Sequence, residues 1–126
     1  MNEEILSYFN RVKAPYNIST VNQQTALDIL SREQDYQQKV KDILAEKEQL
    51  IQNLSDVKGI LTIYHSDANF LLVEVENADE LYEKLIARKI IIRNRNSVIK
   101  NCVRISVGTS VENQQLLNAL KEFNND

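Results

Sequence analysis

One cysteine, one histidine, one proline, two glycines and no tryptophan occur in these 126 residues. Each scarcity removes a class of chemistry. The single thiol, Cys102, cannot close an internal disulfide, which fits a reducing, cytoplasmic setting. The lone imidazole, His65, has no second His or Cys with which to share a metal ion, so no metal site is expected. With only Gly59 and Gly108, the chain has no GxGxxG or P-loop pattern and little backbone able to cradle a phosphate. No apolar run approaches the ~20 residues that span a bilayer. The opening residues MNEEILSYFNRVKAP are acidic at the front and lack a long apolar core, so they do not read as a signal peptide. A basic excess is missing too. The net charge is −3, without the basic footprint of a general nucleic-acid binder.

What is present is an ordinary globular composition, 43% hydrophobic and 26% charged. The length suits one domain that buries about two-thirds of its unfolded surface. Its organising stretch is 90–109, IIIRNRNSVIKNCVRISVGT. Two short strands are expected there, Ile90–Arg93 and Cys102–Val107, joined by a polar connection and closed by Gly108 and Thr109. Alternation sets Val103, Ile105 and Val107 on one face of the second strand, and Cys102, Arg104 and Ser106 on the other. In the first strand Ile90 and Ile92 share a face, and Arg93 points the opposite way beside Ile91. Antiparallel pairing with Arg93 near Cys102 would make Arg93 and Arg104 diagonal neighbours, roughly 7–8 Å apart. Two forked guanidiniums that close form a receptor for carboxylate or phosphate. The competing reading is a solvated face whose arginines pair with nearby Glu or Asp.

Along the chain, Ile5, Leu6, Phe9 and Val12 recur at helical spacing over residues 2–11. Pro15 biases Ala14 toward an extended backbone, so residues 12–19 read as a linker, with Val12, Tyr16 and Ile18 suited to lie on something. Thr20 and Gln23 have capping-box spacing for a second helix, with Ala26, Leu27, Ile29 and Leu30 on its apolar side. Ser31-Arg32-Glu33-Gln34 marks a break. The longest helix then runs from about Gln34 to Leu54. Its expected buried stripe is Tyr36, Val40, Ile43, Leu44, Leu50, Ile51 and Leu54, with Lys39, Lys41, Glu46, Lys47 and Glu48 largely outside it. An a/d heptad does not persist, which argues against a coiled coil.

Strands are expected at Ile60–Tyr64 and Asn69–Val75. Asn77 with Glu80 is a helix start, with Leu81, Leu85 and Ile86 facing inward and an end around Arg88-Lys89. Thr109 and Glu112 open a last helix that docks through Leu116, Leu117, Leu120 and Phe123. This order predicts an α+β two-layer domain, a mostly antiparallel sheet with helices packed on one face. The other face would carry Arg93, Arg104, Ser106 and Asn69. A polar, uncovered face behind an apolar linker looks like half of something larger.

Four blocks of residues, in order, carry a resemblance: Lys13-Ala14-Pro15-Tyr16-Asn17-Ile18-Ser19, Ser66-Asp67-Ala68-Asn69-Phe70, Ile92-Arg93-Asn94-Arg95, and Asn101-Cys102-Val103-Arg104-Ile105-Ser106-Val107-Gly108-Thr109 with Glu112-Asn113 following. Over essentially its whole length the chain resembles the C-terminal small domain of histidinol-phosphate aminotransferases, pyridoxal-phosphate enzymes of the aspartate-aminotransferase fold type. Residues 1–18 correspond to an N-terminal helix and inter-domain linker, and residues 19–126 to the small domain. The resemblance implies that Arg104 clamps the acidic group of the substrate and that Arg93 helps to accept its phosphate or the distal acid of glutamate. Which arginine takes which anion stays open. Arg95 is expected at the surface, and Asn17 and Asn69 are expected to satisfy backbone or domain-interface groups.

Two departures stand out: Lys89 where the family usually has glycine before the Ile-x-x-Arg strand, and Lys47 where it often has arginine. The larger departure is what the resemblance requires and the chain lacks. Schiff-base chemistry needs a cofactor lysine, in this family within a Ser-x-x-Lys block, and an acidic partner for the pyridinium nitrogen. Neither has a match here, and Lys13, Lys39, Lys41, Lys84 and Lys121 read as surface residues. The chain is therefore expected to be a detached piece of a longer, homodimeric transaminase of histidine biosynthesis. It should have no catalytic, cofactor-binding or metal residues of its own, an acidic small molecule as ligand, and no nucleic-acid or membrane partner. Apolar surface exposed near Tyr8, Phe9, Val12 and Tyr16 would promote self-association or a swapped N-terminal segment. The alternatives are the small domain of another transaminase of the same fold, and a free-standing module that binds an anion or a protein.

Overall fold

A computed structural model describes residues 2–12 and 18–123 of the chain. The expectations for Lys13, Ala14, Pro15, Tyr16 and Asn17 fall outside the described residues. The chain divides into two compact units, Met1–Gln37 and Gln38–Asp126.

The first unit is helical. Helix α1, Glu3–Val12, has Glu3 and Glu4 in its first turn and Arg11 in its last, complementing the helix dipole. Helix α2 is Thr20–Leu30. Its cap is Ser19 rather than Thr20: the Ser19 hydroxyl accepts from the Asn22 amide at 3.2 Å. The expected Thr20–Gln23 box is displaced because Ser19 already occupies the extended cap position. The expected apolar side of α2 is not buried; Leu27, Ile29 and Leu30 are exposed. A turn at Ser31-Arg32, the break expected from the sequence, leads into α3, Glu33–Ser55, which continues into the second unit.

In the second unit, the C-terminal part of α3 is followed by β1 (Ile60–Ile63), β2 (Phe70–Val75), α4 (Ala78–Ala87), β3 (Arg93–Asn94), β4 (Cys102–Ser106) and α5 (Ser110–Phe123). The sheet is antiparallel throughout, in the order β1-β2-β4-β3. The fold is α+β, as the element order predicts. Leu71, Val73 and Val75 of β2 and Val103 and Ile105 of β4 line its inner face. They form one core with Leu50 and Leu54 of α3, Ala78 and Leu85 of α4, and Leu116, Leu117 and Leu120 of α5. Each fully buried Leu or Val there contributes about 1.5–3 kcal/mol of transfer free energy.

Caps fix the helices where the sequence placed them. Asn77 accepts from the Glu80 amide at 3.1 Å, opening α4. At α5 the capping box is reciprocal: the Thr109 amide donates to Glu112 Oε2 at 2.8 Å, and the Glu112 amide to Thr109 Oγ1 at 3.4 Å. Gly59, with φ of +87°, takes the left-handed conformation between α3 and β1.

Three further expectations fail. The stripe of α3 is buried only at its C-terminal end, at Leu50 and Leu54 with Ile51 half-buried; Tyr36, Val40, Ile43 and Leu44 are exposed. Only that end of the helix lies over the sheet core. Lys47 was expected outside the stripe and is instead buried, because its ammonium turns in to donate to the carbonyls of Ser66 and Ala68, the latter at 3.0 Å. On α4, Ile86 is exposed, while Leu85 is buried and Leu81 and Tyr82 are half-buried.

Candidate anion-binding site

The outer face of the sheet carries the charged residues. Register sets Phe70 opposite Ser106, Leu72 opposite Arg104, and Glu74 opposite Cys102. By the same alternation Asn69 does not share this face, as had been expected, because it has the parity of Leu71. Cys102 is buried, Phe70, Leu72, Glu74 and Arg104 are half-buried, and Arg93 and Ser106 are exposed.

Arg93 and Arg104 come together more closely than the sequence suggested. Strand β3 is two residues long rather than four, and it pairs Arg93 directly with Arg104 and Asn94 with Val103. The two arginines are thus directly opposite rather than diagonal, a placement that brings Cβ atoms to about 4.5–5.5 Å. The earlier part of the expected strand is spent leaving α4. Lys89 adopts φ of +62°, its amide donates to the Ile86 carbonyl at 2.8 Å, and the Ile90 amide donates to Leu85 at 2.9 Å. These two bonds make a Schellman turn with a lysine in the left-handed position that glycine usually fills.

The connection 95–101 sets the register. The Arg95 amide donates to the Cys102 carbonyl at 2.9 Å, and Asn101 is left-handed with φ of +55°. Side-chain amides hold it: Asn96 Oδ1 accepts from the Asn101 amide at 2.8 Å, and Asn94 Oδ1 from the Asn96 amide at 2.8 Å. Asp79, in the first turn of α4, accepts from Asn94 Nδ2 at 2.6 Å and Asn96 Nδ2 at 2.7 Å, one on each carboxylate oxygen. Sequence reasoning missed Asp79, Asn94, Asn96 and Asn101 as the frame of Arg93. The only available signal was the density of asparagine in the connection.

No carboxylate among the described residues pairs with either arginine. Arg104 keeps its Nε buried and without an acceptor. Its guanidinium lies over the Phe70 ring, 5.0 Å from the centroid. Like charges directly opposite on a sheet repel, and an unsatisfied buried donor costs free energy as well. Both costs fall when an anion bridges the pair, with charge-assisted bonds to a forked donor. The internal ion pairing that a merely solvated face would show is absent among the described residues.

Beside the arginines, the Tyr64 hydroxyl donates to Glu74 Oε2 at 2.9 Å. That bond and the charge of Glu74 raise the phenol's pKa above its ordinary value. Burial, then the charge of Glu74, raises the Cys102 thiol, which makes it a poor nucleophile. Among the described residues no group of His, Cys, Asp and Glu could hold a metal ion. No helix among them is long and apolar enough to cross a membrane.

A family model described as "Aminotransferase class I and II" matches residues 1–120. The chain belongs to that aminotransferase family. It is 42% identical to a histidinol-phosphate aminotransferase of Parabacteroides distasonis over 122 residues, which cover 95% of this chain and 35% of that protein. A histidinol-phosphate aminotransferase of Christiangramia forsetii is 38% identical over 126 residues, 98% of this chain and 36% of the relative. Among solved structures, the histidinol-phosphate aminotransferase of Clostridium acetobutylicum superposes with a TM-score of 0.83 at 26% identity, covering 98% of this chain and 39% of that one. The resemblance read from the four sequence blocks is borne out. The chain spans about a third of the length of the curated relatives it matches.

Two of the described lysines have defined partners. No strand carries a lysine. Lys47, the buried lysine, is committed to two carbonyls, and Lys84 pairs with Glu80 at 2.8 Å.

Proposed function

We propose that residues 19–126 are the substrate-binding small domain of a histidinol-phosphate transaminase and that residues 1–18 are the helix and linker that enter it. The whole enzyme would move an amino group between histidinol phosphate and 2-oxoglutarate, in the cytoplasm and as a homodimer. Its pyridoxal phosphate would be held by residues outside this chain, and this chain alone would be inactive. Arg104 grips the acidic group of the substrate and Arg93 assists. One observation carries this reading: Arg104 Nε is buried without an acceptor while Arg93 stands directly opposite with no carboxylate partner among the described residues. A bidentate guanidinium–carboxylate pair holds the reacting carbon in place, which is worth more as orientation than as affinity.

The test is Arg104→Ala in a full-length enzyme carrying this segment. Use of the acidic substrates should fall by orders of magnitude while cofactor affinity holds, since each charge-assisted bond contributes about 1.5–3 kcal/mol. Equal loss of both would refute the assignment. The isolated chain mixed with pyridoxal phosphate should show no specific Schiff-base absorption band. Tyr8, Phe9 and Val12 of α1 are exposed, and we infer that they drive self-association of the chain, which sedimentation would detect as a concentration-dependent mass.

A further inference from the structure

Phe70, like Leu72 beside it, stands apart from the core-facing Leu71, Val73 and Val75 of β2. It lies on the outer face, half-buried, and belongs neither to the core nor to the partly buried shell around it. Register makes it the diagonal neighbour of Arg104, since Phe70 is opposite Ser106 and Leu72 opposite Arg104. An aromatic side chain reaches across that diagonal, and the Arg104 guanidinium sits over its ring at 5.0 Å.

The contact bears on how the grip is aimed. A guanidinium is usually held by acceptors on its own fork, but any acceptor supplied by the protein would compete with a bound anion. Arg104 Nε has none. An aromatic ring solves this conflict, because it attracts the flat face of the cation and leaves the N–H donors at its edge unoccupied. We propose that Phe70 is a positioning residue for Arg104: its ring fixes the guanidinium plane without supplying an acceptor that would compete with an incoming carboxylate or phosphate. The inference rests on the reading of Arg104 as an anion grip.

The experiment uses the whole 126-residue chain, with inorganic phosphate and glutamate as probes, backbone amide shifts of the sheet as the binding readout in every variant, and the Arg104 Nε–H resonance as a second readout wherever Arg104 is kept. Phe70→Leu keeps an apolar side chain and removes the ring; Phe70→Tyr keeps the ring; Arg104→Lys removes the fork. In the unmutated chain the Nε–H signal should carry a ring-current shift and move saturably with either anion. Phe70→Leu should abolish the ring-current shift and weaken anion binding about threefold, while Phe70→Tyr restores both. Amide spectra and thermal unfolding of each variant separate this from loss of fold. Undiminished binding in Phe70→Leu, with binding lost in Arg104→Lys, overturns the role of Phe70 and leaves the grip intact. Unchanged binding in Arg104→Lys, or no saturable shift in the unmutated chain, overturns both.

Discussion

Arg93 and Arg104 are direct cross-strand partners, two like charges facing each other at the edge of an antiparallel sheet. Such a pair repels by about 0.2–1 kcal/mol. The pairing itself therefore adds no stability. Replacing the exposed member, Arg93→Gln, should leave the chain as stable or a few tenths of a kcal/mol more stable at low salt, where repulsion is least screened. The same change should weaken phosphate binding. Urea unfolding at low and high ionic strength checks the first part, and a phosphate titration the second. A marked loss of stability at low salt would mean that the pair is not repulsive.

Lys89 gives a prediction of the opposite kind. It holds φ of +62° in the turn that ends α4, a conformation that costs a side-chain-bearing residue roughly 1–2 kcal/mol. Glycine adopts it freely, although a more flexible unfolded chain offsets part of the gain. Lys89→Gly should stabilise the chain by about 1 kcal/mol, and Lys89→Val should destabilise it. The midpoint of urea unfolding reads both.

Local signals were legible and long-range ones were not. Asn77–Glu80 and Thr109–Glu112 announce their helices because a cap is a bargain between residues three apart, and the structure keeps both. The alternation of β4 is equally local: Val103 and Ile105 were set on one face, and the structure buries both. Register was not legible. It depends on how the 95–101 connection spends its residues, and on left-handed Lys89 and Asn101, which no periodicity reveals. Residue type misled at Lys47, since lysine is rarely buried and only the carbonyls of Ser66 and Ala68 make it possible here. The half-length stripe of α3 shows the same limit: Val40, Ile43 and Leu44 have the spacing of a buried face yet are exposed.

Lys47 anchors the connection between β1 and β2 to α3 through two carbonyls. Lys47→Met keeps the apolar stem but removes the only donor shared by those carbonyls among the described residues. The cost should be about 1 kcal/mol, because the two carbonyls belong to half-buried residues and water can replace part of what the ammonium supplied. Amide exchange should accelerate around Ser66–Ala68 before it does in the sheet centre. Unchanged exchange there would show that the anchor is dispensable.

Asn113 is the buried polar residue of α5, and it ties three places together. Its Nδ2 donates to Glu46 Oε2 at 2.9 Å and to the Gly108 carbonyl at 3.2 Å, while its Oδ1 accepts from the Gly108 amide at 3.0 Å. Asn113→Leu should destabilise the chain by roughly 2–3 kcal/mol, because it strands several polar groups at once. Glu46→Gln preserves an acceptor and should cost much less. A double-mutant comparison by urea unfolding separates the Glu46 bond from the two bonds to Gly108.

The capping box of α5 also makes stability depend on pH, with a sign that follows from the bonding. The Thr109 amide, then the Thr109 hydroxyl, lowers the Glu112 carboxyl below its ordinary value in the folded chain. The unfolded chain therefore binds a proton more readily at this position. Stability from the ionised carboxylate is fully present above the unfolded pKa and is lost as pH falls through the folded one. Glu112→Gln keeps an acceptor but has no charge to titrate, so its deficit relative to the unmutated chain should be largest at neutral pH and should shrink on acidification. Unfolding midpoints of both proteins from neutral to strongly acid pH measure the difference. A gap that stays constant through the carboxylate range would mean that the Glu112 charge contributes nothing to holding the start of α5, the helix that also carries Asn113.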